Sequence, residues 1–168
     1  MYDIGDDQIN KVEHSFALYL SQGSSSASAF DDSISPFSIK QFFGDKLSVV
    51  ATIREGIPYS LFKVIVAFTP FNEEDWAEIL GVSTKSLQRY KKDVDHRFKS
   101  IHSEKIIEMT EVTALGLDVF DSSHQFYLWL TAPSYALGGH LPKDLLKDSY
   151  GKEMVMDELN RIDHGVFV

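Results

Sequence analysis

The sequence predicts an all-α protein: a helix-turn-helix domain followed by a small helical domain. Three observations carry this. From Ser38 onward apolar residues recur at helical spacing. The stretch EEDWAEILGVSTKSLQRYKK, Glu73 to Lys92, reads as two short helices hinged at Gly81. The last third places a Leu137-Gly138-Gly139 turn and Pro142 ahead of a final amphipathic helix that Gly165 ends.

Taken in order, Ile9, Val12, Phe16, Ala17 and Leu20 predict a first helix, and the Ser-, Gly- and Asp-rich run 22–36 predicts a flexible linker. Ser38 is placed to cap a helix with Phe42 and Phe43, and a second run carries Leu47, Val50 and Ile53 to Gly56, a C-cap position. Pro58 opens the next helix, with Leu61, Val64, Ile65 and Phe68 facing inward, and Pro70 ends it. These stripes read as core. Beyond residue 99, Ser103 marks the start of a helix running to Phe120, and Gly116 within it calls for a close packing contact. A short helix with Phe126, Trp129 and Leu130 stops before Pro133. Leu145 and Leu146 anchor the helix begun at Pro142, and Gly151 to Ile162 forms the last one.

Within Glu73–Lys92, Asn72 is the N-cap of the first helix, which turns Trp76, Ala77 and Leu80 inward. Gly81 supplies positive φ at the hinge, and Ser83 caps a second helix held by Leu87 and Tyr90. That leaves Ser83, Thr84, Lys85, Gln88, Arg89 and Lys92 outward, residue types suited to base edges and phosphates. An ordinary helical hairpin in an all-α core is the alternative.

Composition bounds the rest. The 168 residues, 43% hydrophobic and 24% charged, suffice for one sizeable core or two small ones, and no apolar run is long enough to span a bilayer. The acidic start, with Asp3, Asp6 and Asp7, has no secretory pattern, and the absence of cysteine fits the cytoplasm. A net charge of −9 speaks against nucleic acid until its distribution is read. Residues 85–99 hold six cations against two acids, whereas residues 111–168 hold nine acids against four cations. A basic strip just after the second helix of the hairpin suits local binding to phosphates. The six histidines, at 14, 96, 102, 124, 140 and 164, show no ligand spacing, and no Gly-rich phosphate loop is present. Neither metal, cofactor nor catalytic residues are therefore assigned, and the chain reads as a non-enzyme.

The segment WLTAPSYALGGHLPKDLL and the ending NRIDHGVFV resemble the toxin-binding domain of Xre-type antitoxins, partners of RES-domain toxins in bacterial toxin–antitoxin systems. The Trp-Leu-x-x-Pro, Leu-Gly-Gly-x-x-Pro and Ile-x-x-Gly elements carry the resemblance. It implies an all-helical dimer that binds the promoter of its own operon and covers the active-site cleft of an NAD-consuming toxin. It places Leu137, Gly138, Gly139, Arg161, His164, Gly165, Val166, Phe167 and Val168 in the toxin-facing domain. The organisation expected is an N-terminal helix and linker at 1–36, a DNA-binding and dimerisation domain at 37–111, and a toxin-binding domain at 112–168. The acidic domain with its apolar Val166-Phe167-Val168 ending suits a cationic cleft built for phosphates and ribose. Three alternatives stay open: that tail covers its own domain's core, the chain is a free-standing helix-turn-helix regulator without a toxin, or it is an interaction protein with a vestigial helix-turn-helix.

Overall fold

The computed structural model describes residues 6–23, 38–120 and 122–165. Its helices are α1 (Asp6–Gly23), α2 (Ile39–Gly44), α3 (Lys46–Glu55), α4 (Tyr59–Phe68), α5 (Glu73–Leu80), α6 (Thr84–Lys92), α7 (Ser100–Val119), α8 (Ser123–Leu130), α9 (Pro142–Leu145) and α10 (Ser149–Asp163), with a 3-10 turn at Tyr135–Leu137. The one extended pairing among the described residues is an antiparallel bridge between Pro58 and Arg97.

The α7 helix is the central support. Its Ile106, Met109 and Val112 are fully buried, and α3, α4, α5, α8 and α10 all pack against it. Each such apolar side chain withdrawn from water contributes about 1.5–3 kcal/mol. A boundary at 111/112 therefore falls inside one continuous helix. On the other side of the bundle, α1 packs against α4 through Val12, Phe16 and Tyr19. Phe16 meets Phe42 at 5.4 Å between ring centroids, and the Ile39 N–H donates to Glu13 Oε1 at 3.0 Å. The N-terminal helix is thus part of the core. The expected linker at 24–36 lies outside the described residues.

Three details differ from the sequence reading. Ser38 precedes α2 without a side-chain cap bond; the working cap nearby is Asp45, whose carboxylate accepts from Leu47 N and Ser48 N at the start of α3. Leu47 and Val50 are 82% and 40% exposed, because α3 turns Val49, Thr52 and Ile53 toward the protein instead. Ser103 does not start a helix. The α7 helix begins one turn earlier at Ser100, and the buried Ser103 Oγ accepts from Ile57 N at 2.9 Å and donates to Phe98 O at 3.2 Å. A hydroxyl placed as a strut between two chain segments has the same sequence signature as a cap.

Gly116 meets its expectation. A Cβ there would lie 2.3 Å from the Phe126 ring, so only glycine lets α8 come this close to α7.

Candidate functional site

The first end of the site is built by α5 and α6. Asn72 and Asp75 form a reciprocal capping box, Asp75 N donating to Asn72 Oδ1 at 2.8 Å and Asn72 N to Asp75 Oδ2 at 3.0 Å. Trp76 is buried edge-on to Phe62 and Phe71. At the other end of α5, Gly81 takes φ 64° and ψ 35°; Val82 N then donates to Ala77 O and Gly81 N to Glu78 O, the paired bonds of a Schellman stop. Two residues later Ser83 Oγ accepts from Ser86 N at 3.1 Å and α6 begins.

Leu87 and Tyr90 fix the orientation of α6. Leu87 is buried, and the Tyr90 ring stacks on His96 at 3.9 Å with an interplanar angle of 10°. His96 is itself held edge-on to Phe98, while Tyr59 N donates to His96 O at 2.9 Å and Phe98 N to Ile57 O at 2.8 Å. Burial holds the His96 imidazole below its ordinary pKa, partly opposed by Asp93, so the ring under α6 stays neutral near pH 7. Its Nε2 has no hydrogen-bond partner among the described residues.

With that face fixed, Ser83, Thr84, Lys85, Gln88, Arg89 and Lys92 are all exposed. Lys85, Gln88, Arg89 and Lys92 follow i, i+3, i+4, i+7 spacing and share one side of α6. The Ser83 hydroxyl is engaged in the cap, and the Arg89 guanidinium lies 5.5 Å from the centre of the Tyr90 ring. One cation of the basic strip is turned to an internal use. Arg97 Nη1 donates to Gly56 O at 2.6 Å and lies 3.8 Å from Glu55, which ties the bridge segment to the end of α3.

The second end is carried by α8 to α10. Ser134 N donates to His140 O at 3.0 Å and Gly139 N to Ser134 O at 2.8 Å, closing a compact loop in which Gly138 and Gly139 take φ 68° and 81°. Both glycines are exposed, but Leu137, just ahead of them, is only 4% exposed. Leu137 is thus the loop's anchor and has almost no surface to offer a partner, a correction to its grouping with the two glycines. The α10 helix buries Gly151, Val155 and Leu159 and ends at an exposed His164, whose Nδ1 lies 2.7 Å from Asn160 O, and at Gly165 with φ 68°. Half-buried Arg161 pairs with Glu158. Val166, Phe167 and Val168 lie outside the described residues.

The two ends are joined by ion pairs that sequence reading missed. Lys143 reaches Asp75, Lys147 reaches Glu78 at 2.9 Å, and Lys152 joins Glu111 at 2.6 Å. Acids three apart on α5 and lysines four apart around α9 are a matched spacing, but nothing local to either segment says they meet.

Comparison with known proteins completes the picture. The family model for the antitoxin Xre-like helix-turn-helix domain matches residues 48–109, and that for the antitoxin Xre/MbcA/ParS C-terminal toxin-binding domain matches residues 115–165. The chain belongs to the Xre family of antitoxins. Two Xre-family relatives are similar over most of their length. Antitoxin Xre of Yersinia enterocolitica is 27% identical over 120 residues, 71% of this chain and 80% of the relative. Antitoxin Xre of Photorhabdus laumondii is 26% identical over 117 residues, 69% of this chain and 78% of the relative. A chain in the crystal structure of the M. tuberculosis MbcT–MbcA toxin–antitoxin complex shares the fold, with a TM-score of 0.51 and 22% identity over 64% of this chain and 94% of that one. This Xre-family chain is accordingly an antitoxin of a toxin–antitoxin system, with a helix-turn-helix domain and a toxin-binding domain that meet on α7. No helix among its described residues is long and apolar enough to cross a membrane.

Proposed function

We propose that this antitoxin neutralises a RES-domain, NAD-consuming toxin by covering its active-site cleft with the C-terminal domain, and that as a cytoplasmic homodimer it binds the promoter of its own operon through α6. The observation that carries the reading is the exposed end of α10 at His164 and Gly165, after which the sequence reads Val166-Phe167-Val168. A short apolar segment delivered by an acidic domain is suited to a cleft lined for phosphate and ribose. Neutralisation is then steric, and the chain needs no catalytic group or cofactor of its own.

Operator binding is supported by the shared outward side of Lys85, Gln88, Arg89 and Lys92. Dimerisation is supported by α3, which leaves Leu47, Val50, Ala51 and Arg54 outward at i, i+3, i+4, i+7. Two copies of α3 crossed antiparallel at Val50 and Ala51 would bring Lys46 of each to Glu55 of the other, beside the small Ala51 that permits close approach.

The test is co-expression with the toxin encoded beside it. The full chain is expected to restore growth and co-elute with the toxin. A chain lacking residues 164–168 is expected to keep its fold and its operator binding but to lose protection. Equal protection by the shortened chain overturns the cleft-covering role, and absence of any complex favours a free-standing regulator.

A further inference from the structure

Tyr150, Glu153, Met154 and Asp157 on the outward side of α10 have no role in the reading above, and they do not form a plain solvated surface. Tyr150 is 83% and Met154 45% exposed, one turn apart. Asp157 and Arg161 continue the same line at i+7 and i+11, so a single stripe runs along the helix and ends beside His164. The opposite side is fully engaged: Val155 and Leu159 are buried, and a Cβ on Gly151 would sit 1.9 Å from Leu145 O. That close approach sets the first turn of α10 directly on α9, so Tyr150 is presented from a fixed backbone. Glu153 and Asp157 border the apolar pair and have no ion-pair partner among the described residues.

We propose that this stripe is a second toxin-contacting surface, in which Tyr150 and Met154 seat in an apolar depression beside the toxin's cleft while Glu153 and Asp157 meet cations on its rim. The inference rests on the cleft-covering reading and deepens it: the stripe holds the toxin, and residues 164–168 block it. Three features favour the toxin as occupant. The stripe lies wholly within the matched toxin-binding domain, it runs along α10 to the exposed His164 at its end, and its acidic border complements the cationic surroundings of a site for phosphates. Tyr and Met are residue types enriched in interface cores, and a backbone already fixed in the free protein spares the cost of ordering it on binding.

The experiment uses the full chain, a Tyr150→Ala/Met154→Ala variant, a Tyr127→Ala/Leu128→Ala variant altering the exposed apolar pair on α8, and the chain lacking 164–168. Each is measured against the catalytically inactive toxin for affinity and dissociation rate, and against the active toxin for inhibition of NAD consumption. The stripe variant is expected to bind at least tenfold more weakly, chiefly through faster dissociation, yet to inhibit fully at saturation. The shortened chain is expected to bind without inhibiting, and the α8 variant to match wild type in both. Stripe-variant affinity within twofold of wild type overturns this surface alone, as does an equal loss in the α8 variant. No binding by the wild-type chain overturns both the surface and the reading it rests on.

Discussion

Lys143 Nζ lies 2.6 Å from Asp75 Oδ1, and the other oxygen of that carboxylate accepts the Asn72 N–H that opens α5. One side chain therefore completes the capping box of the first helix of the helix-turn-helix and holds α9 of the toxin-binding domain. The pair is largely shielded, with side chains 28% and 11% exposed, so it is screened less than a surface bridge. Lys143→Met is expected to cost about 1–2 kcal/mol, read as an earlier urea midpoint. Asp75→Ala also removes the carboxylate half of the capping box, while Asn72 keeps its own cap bond, and should cost about 0.5–1 kcal/mol more. Equal destabilisation by the two variants would show that the carboxylate does not serve both helices.

Gly116→Ala sets helix propensity against packing. Alanine is favoured in a helix by about 1 kcal/mol, but its methyl would collide with the Phe126 ring. A net loss of about 1–3 kcal/mol is expected, with recovery in Gly116→Ala/Phe126→Leu. Thermal unfolding of the single and double variants decides it.

His96 and His102 are both held below their ordinary pKa, chiefly by burial. Their neutral forms stabilise the fold fully above the unfolded value of about 6.5, and this contribution is lost as pH falls through the depressed folded values. Urea midpoints should therefore drop between pH 7.5 and 5.5. His96→Phe, which keeps a ring against Tyr90, should flatten that slope, and an unchanged slope would remove His96 from the account.

Arg89→Ala/Lys92→Ala is expected to weaken operator binding across all sequences and to reduce the salt slope by about one for each phosphate left without its cation. Fluorescence anisotropy at several salt concentrations measures both. Retained affinity with an unaltered slope would point to another face.

Leu47→Glu places a charge on the outward stripe of α3. If α3 forms the dimer, sedimentation should show a monomer of unchanged helicity; a persistent dimer would locate the interface elsewhere.

How far the sequence reveals this molecule depends on the range of the interaction concerned. The hinge at Gly81, the caps at Asn72 and Ser83, and the outward set from Ser83 to Lys92 follow from residues within one or two turns of each other, and periodicity exposes them. Periodicity places the ends of α1 and the start of α7 short by about a turn, because helix ends fray into similar residues. Ser103 looks like a cap in the sequence because its partners, Ile57 and Phe98, are fixed only once the Pro58–Arg97 bridge forms. The exposure of Leu47 and the inward turn of Leu137 likewise depend on which side of a short element finds a neighbour. Tyr150 and Met154 stand in plain view, but amphipathic spacing favours the buried side and draws attention away from the other.

The α7 helix carries a geometric consequence. It passes without a break from beneath the Pro58–Arg97 bridge to the support of α8 and α10, about 30 Å at 1.5 Å per residue. The two working ends are thereby locked in rotational phase as well as distance. One residue inserted near Met109 would turn the toxin-binding half by about 100° relative to α6, whereas a full turn of insertion would nearly restore the angle. Exchange of toxin-binding halves between related antitoxins should thus require that the length of the junction be kept as well as its buried residues.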